Sequence, residues 1–75
     1  MYSGNDVKVL RVRIGLNQLD FGNLVGMAQH SISTVELGKK PLTNVHQRLF
    51  AAVGLLFERG LLEDFKAAAG LLETD

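Results

Sequence analysis

The sequence has no cysteine, which excludes a disulfide framework and a thiolate metal site and suits a reducing compartment, with the cytoplasm as the expectation. No apolar run approaches the roughly 18 residues that a membrane span needs. Tyr2-Ser3-Gly4-Asn5-Asp6 is not the basic opening of a signal peptide, so a soluble, unexported chain is expected. Net charge is also missing: eight basic groups balance eight acidic ones, which at first sight argues against a nucleic-acid partner. The distribution is less even than the total. Residues 1–48 carry six basic groups (Lys8, Arg11, Arg13, Lys39, Lys40, Arg48) against three acidic, whereas residues 49–75 carry two against five (Glu58, Glu63, Asp64, Glu73, Asp75). A basic front and an acidic back suit a molecule that meets a polyanion on one face only. With 75 residues there is room for one small domain whose core is marginal, so self-association is an economical source of further stability.

Histidine is scarce as well. His30 and His46 are the only two, and no pair of them with carboxylates has metal-ligand spacing. Ser31 and Ser33 are near His30 in the sequence, but neighbours on one helix do not make a nucleophile, a base and an orienting group. Glu63 and Asp64 are adjacent and so diverge on a helix. The reading is therefore of a protein that is not an enzyme and has no cofactor, metal or evident small-molecule ligand.

The remaining pattern is helical. Residues 5–14 alternate like a strand, yet Val7, Leu10 and Ile14 also fit helical spacing and no second segment offers a strand partner. A first helix is expected, capped near Asn5 and stopped by Gly15. Asn17 caps a second, with Asp20 near its positive end and Phe21, Leu24 and Val25 on its apolar side. Gly22 inside it suggests close approach of a neighbouring helix. Gly26 ends that helix, and a third runs over 28–36. Two short helices joined by a glycine-containing turn form a helix-turn-helix unit. Leu37-Gly38-Lys39-Lys40-Pro41-Leu42 is a loop. Thr43 caps a fourth helix from Asn44 to Val53, with Val45, Leu49, Ala52 and Val53 inward and Gly54 as its stop. In residues 55–75, Phe57, Leu61, Phe65, Ala68 and Leu72 form a helical stripe interrupted only by Gly60 and Gly70. That stripe is either a final core helix or a face that meets a second subunit.

The third helix is the unusual one. Ala28, Ile32 and Val35 share one side, while His30, Ser33 and Thr34 face the other way and Gln29 flanks them. A face that is polar yet uncharged suits hydrogen bonding to flat edges such as bases, because Gln, His, Ser and Thr all donate and accept. It equally suits an ordinary solvated helix, and periodicity does not separate the two.

Gly15-Leu16-Asn17-Gln18, Phe21-Gly22, Val25-Gly26, Gln29, Ser31-Ile32, Val35-Glu36 and Gly38-Lys39 together resemble the lambda-repressor-like helix-turn-helix family of phage repressors, Cro proteins and their bacterial relatives. The match spans roughly residues 7–54 with its spacing intact, and 55–75 carry no comparable signature. The resemblance implies an all-α, compact bundle of about five helices with a central helix-turn-helix whose third helix enters the major groove. It makes residues 5–54 the DNA-binding core and leaves 55–75 as a dimerisation element, through Phe57, Leu61, Phe65 and Leu72. It implies that Gln18 holds a phosphate and that Gln29 reads adenine through N6 and N7, with His30, Ser33 and Thr34 as further base readers. Arg11 would pair with Glu36 and turn towards a phosphate, and Lys39 and Lys40 would clamp the backbone, with Asn17 and Arg13 as further phosphate candidates. Gly22 replaces the family's usual Ala, and Leu37 replaces a common polar contact. The expected function is a sequence-specific, dimeric regulator of transcription, a repressor on an inverted-repeat operator in double-stranded DNA. The alternative is a protein of the same fold that acts through polymerase or another regulator.

Overall fold

Five helices account for the regular structure of residues 1–71, the part of the chain that the computed structural model describes. They are α1 (Gly4–Ile14), α2 (Gln18–Val25), α3 (Gln29–Glu36), α4 (Asn44–Glu58) and α5 (Leu62–Ala68), with no strand among the described residues. None of these helices is long and apolar enough to cross a membrane.

The local chemistry of each terminus explains most boundaries. The first helix is capped by Ser3, two residues before the expected Asn5, because Ser3 and Asp6 form a reciprocal capping box. The Ser3 hydroxyl accepts from the Asp6 N–H at 3.2 Å, and the Ser3 N–H donates to the Asp6 carboxylate at 2.8 Å. Those bonds hold the Asp6 carboxyl below its ordinary value, the Ser3 backbone bond having the largest part. Asn17 caps α2 by accepting from the Asp20 N–H at 2.8 Å, and Thr43 caps α4 through the His46 N–H at 3.1 Å. Gly15 and Gly26 close α1 and α2 in the left-handed region, at φ 88° and 76°.

Val7 and Leu10 of α1, Phe21, Leu24 and Val25 of α2, Ile32 and Val35 of α3, Phe50 and Val53 of α4 and Leu62 of α5 make one buried cluster. Phe21 and Phe50 stack at its centre, 5.9 Å between ring centroids and 10° from parallel. Helical spacing therefore prevails over the strand-like alternation of residues 5–14.

Three expectations about the fourth helix and the C-terminal residues are corrected. Gly54 does not end α4, which runs on to Glu58. The glycine is buried within the helix, where an added Cβ would collide with the Tyr2 hydroxyl and meet Leu10. Its role is close packing. The inward stripe is His46, Phe50, Val53, Gly54 and Phe57, at i, i+4, i+7, i+8 and i+11. Val45 is 69% exposed and Ala52 is exposed too, leaving only Val53 buried and Leu49 half-buried of the expected set. The stripe of residues 55–75 is not one helix either. Gly60, at φ 72°, separates α4 from α5, so Phe57 and Phe65 stand on different helices, and Leu62 rather than Leu61 enters the core. Leu72 lies outside the described residues.

Candidate nucleic-acid interface

Burial of Ile32 and Val35 fixes the rotation of α3 about its axis, and what remains faces outward. Gln29 and His30 are exposed, and Ser33 and Thr34 are half-buried along the same outer side. Ala28, expected on the apolar side, is an exposed N-cap in extended conformation without a side-chain capping bond. No side-chain hydrogen bond of Gln29, His30 or Ser33 is present among the described residues, so their donors and acceptors are not used within that part of the chain. Thr34 differs. Its hydroxyl donates to the His30 carbonyl at 2.6 Å, with the Ser31 carbonyl at 3.3 Å.

Two glycines let the neighbouring backbone approach the ends of this helix. A Cβ on Gly22 would overlap the Met27 carbonyl, so the close approach inferred for Gly22 is made by the turn leading into α3 rather than by another helix. A Cβ on Gly4 would overlap the Val35 carbonyl, bringing the start of α1 against the last turn of α3. This second contact was not legible in the sequence, where Gly4 has no turn or cap signature of its own.

Glu36, the last residue of α3, collects three donors from two other helices. Arg11 reaches it through Nε at 2.6 Å and Nη2 at 3.0 Å, and the Gln18 amide donates at 3.2 Å. Arg11 Nη1 also donates to the Leu16 carbonyl at 3.0 Å. Burial by itself raises the Glu36 carboxyl, but the bonds from Arg11 and Gln18, helped by the charges of Arg11 and Lys8, outweigh it and hold the group below its ordinary value. The bond to Glu36 in turn raises the Arg11 guanidinium. Two of the five guanidinium N–H donors and one Gln18 amide N–H take no partner among the described residues. Sequence reasoning found the pair; it did not find that Gln18 and the Leu16 carbonyl complete it.

The remaining candidates are spread around this centre. Asn17 spends its side-chain oxygen on the cap and keeps its NH2. Lys39 and Lys40 are exposed after Gly38, which turns the chain at φ 74°, and neither forms an ion pair among the described residues. Arg13 is drawn away towards α4, 3.7 Å from Glu58 and with its guanidinium 5.7 Å from the centre of the Phe57 ring. Of the residues considered for dimerisation, Phe57 and Phe65 are half-buried against the core and Leu61, at the start of α5, is 42% exposed.

A further clasp positions α4. The Tyr2 N–H donates to Gln47 Oε1 and the Gln47 amide donates to the Tyr2 carbonyl, both at 2.6 Å, while the Tyr2 ring lies 6.4 Å from Phe50. No family model, curated protein or solved structure matches this chain.

Proposed function

We propose that this chain is a cytoplasmic, sequence-specific double-stranded-DNA-binding regulator of transcription, similar to the lambda-repressor-like helix-turn-helix family and acting as a repressor. It binds an inverted repeat as a homodimer, with α3 in the major groove. The observation that carries the reading is the combination at α3: an inner face locked by Ile32 and Val35, a last turn braced by Arg11 and Gln18 on Glu36, and an outer polar face on which Gln29, His30 and Ser33 make no side-chain hydrogen bond among the described residues. A solvated helix requires no such bracing, whereas base reading needs side chains held to within a fraction of an ångström on a rigid element. Lys39 and Lys40, exposed beyond the end of α3 and without an ion pair among the described residues, supply the charge for phosphates that base edges do not attract. Two-fold symmetry sets the two α3 helices about 34 Å apart, one turn of B-DNA.

The test is selection of bound fragments from random duplex DNA. The reading requires enrichment of a short inverted repeat, with affinity that falls steeply as salt rises. A protein that works through polymerase or another regulator would enrich nothing.

A further inference from the structure

We infer that Thr34 reads its base pair through its methyl group, as a thymine-selective contact, while Gln29 and His30 read by hydrogen bonding. The inference rests on the DNA-binding reading above and specifies its chemistry. His30 and Thr34 stand at i and i+4 in the middle of the outer face, opposite Ile32, the positions that reach deepest if α3 enters a groove. A threonine hydroxyl has one hydrogen. That hydrogen is engaged by the His30 carbonyl at 2.6 Å, with the Ser31 carbonyl also in reach at 3.3 Å. The bond holds the β-branched side chain in a single rotamer and removes its only donor.

Guanine shows the major groove two acceptors, N7 and O6, which a side chain without a donor does not satisfy. Thymine shows a C5-methyl, which a fixed Thr methyl can pack against without any hydrogen bond. The hydroxyl oxygen retains lone pairs that could accept from the amino group of adenine or cytosine, and the experiment separates this from methyl contact.

The experiment uses the duplex recovered by selection, with each thymine replaced in turn by deoxyuridine, which lacks only the methyl. Wild type, Thr34→Val and Thr34→Ser are compared by fluorescence anisotropy. At one thymine in each half-site, deoxyuridine should weaken wild type and Thr34→Val alike, by about fourfold, the value of one buried methyl. Thr34→Ser should bind the parent duplex about fourfold more weakly and show no further loss at that position. Thr34→Val keeps the methyl and loses the oxygen, so it should bind the parent duplex as wild type does. The inference is overturned if Thr34→Val loses as much as Thr34→Ser, since the oxygen would then be the reader. It is equally overturned if no deoxyuridine effect depends on residue 34, or if the pair facing Thr34 is read through guanine. In those cases selection would still have returned an operator and the DNA-binding reading would stand. Failure of selection to return any operator removes both.

Discussion

Arg11 on α1 grips Glu36 at the last turn of α3 through two parallel bonds, 2.6 Å from Nε to Oε2 and 3.0 Å from Nη2 to Oε1. Their side chains are only 13% and 4% exposed. Removing one partner strands the other charge away from water, a loss of about 3–5 kcal/mol. A domain of this size has a total stability on the order of 5–10 kcal/mol.

Arg11→Met should therefore lower the urea midpoint sharply, and Arg11→Lys should recover little of it, because an ammonium cannot make the two-point contact. Replacing both residues by apolar ones of similar volume should restore most of the loss. The pair also sets a pH dependence. Glu36 has its carboxyl lowered on folding, so its contribution is present above the ordinary carboxylate pKa and disappears as pH falls through the folded value. Wild type should lose stability below about pH 4, and the doubly apolar variant should lose less over the same range. A residual loss should persist, because Asp6 is lowered by Ser3 in the same direction. Identical acid profiles for the two proteins would refute the assignment.

Gln29 at the start of α3 has an exposed amide with donor and acceptor side by side and no hydrogen bond among the described residues. If it reads adenine through N6 and N7, Gln29→Ala should cost about 1–3 kcal/mol on the selected operator and relax preference at one base pair per half-site. Binding to operators already changed at that pair should hardly alter. A uniform loss across all sequences would instead make Gln29 a backbone contact.

Lys39 and Lys40 predict the opposite pattern. As exposed point charges on the loop after α3, they should weaken every duplex alike when replaced by Ala. Each phosphate contact removed should flatten the plot of log affinity against log salt by about 0.9. An unchanged slope in the double variant would show that neither lysine touches the backbone.

Where the sequence could be read correctly, one residue type had one local job. Asn17 and Thr43 as caps, Gly15 and Gly26 as stops, and the Ile32 and Val35 face of α3 all arise from the preferences of short segments. One error was local, the Ser3 and Asp6 capping box passed over in favour of Asn5; others arose where tertiary contacts reassigned a residue. Gly54 has the composition of a stop signal, yet it serves as clearance for Tyr2, 52 positions earlier in the chain. The inward stripe of the helix runs through Phe50 and Phe57 and not through Val45 and Ala52, which face outward. The candidate site shows the same division. The outer face of α3 and the Arg11–Glu36 pair were visible, the pair only through the family resemblance. The third donor from Gln18, the Leu16 carbonyl and the close approach of Gly4 to Val35 depend on how α1, α2 and α3 cross, which no local pattern encodes.

The C-terminal third gives the last prediction. Leu55, Leu61 and Leu71 remain exposed there, whereas Phe57 and Phe65 already cover the core of their own chain. A dimer contact in this region would therefore draw on the leucines, and Leu61 is the informative one to change. A two-fold interface repeats each residue, so burying both copies of Leu61 contributes about 3 kcal/mol or more, and Leu61→Glu should raise the dimer dissociation constant by at least about a hundredfold. Sedimentation velocity at micromolar concentration should show a monomer with an unchanged circular dichroism spectrum. Phe65→Glu is the less specific probe, because it also opens the core and should lower thermal stability along with association. Monomeric Leu61→Glu should still recognise a single half-site, since α3 is untouched, but lose the gain from binding two half-sites at once. A variant that remains a dimer would move the subunit contact away from α5.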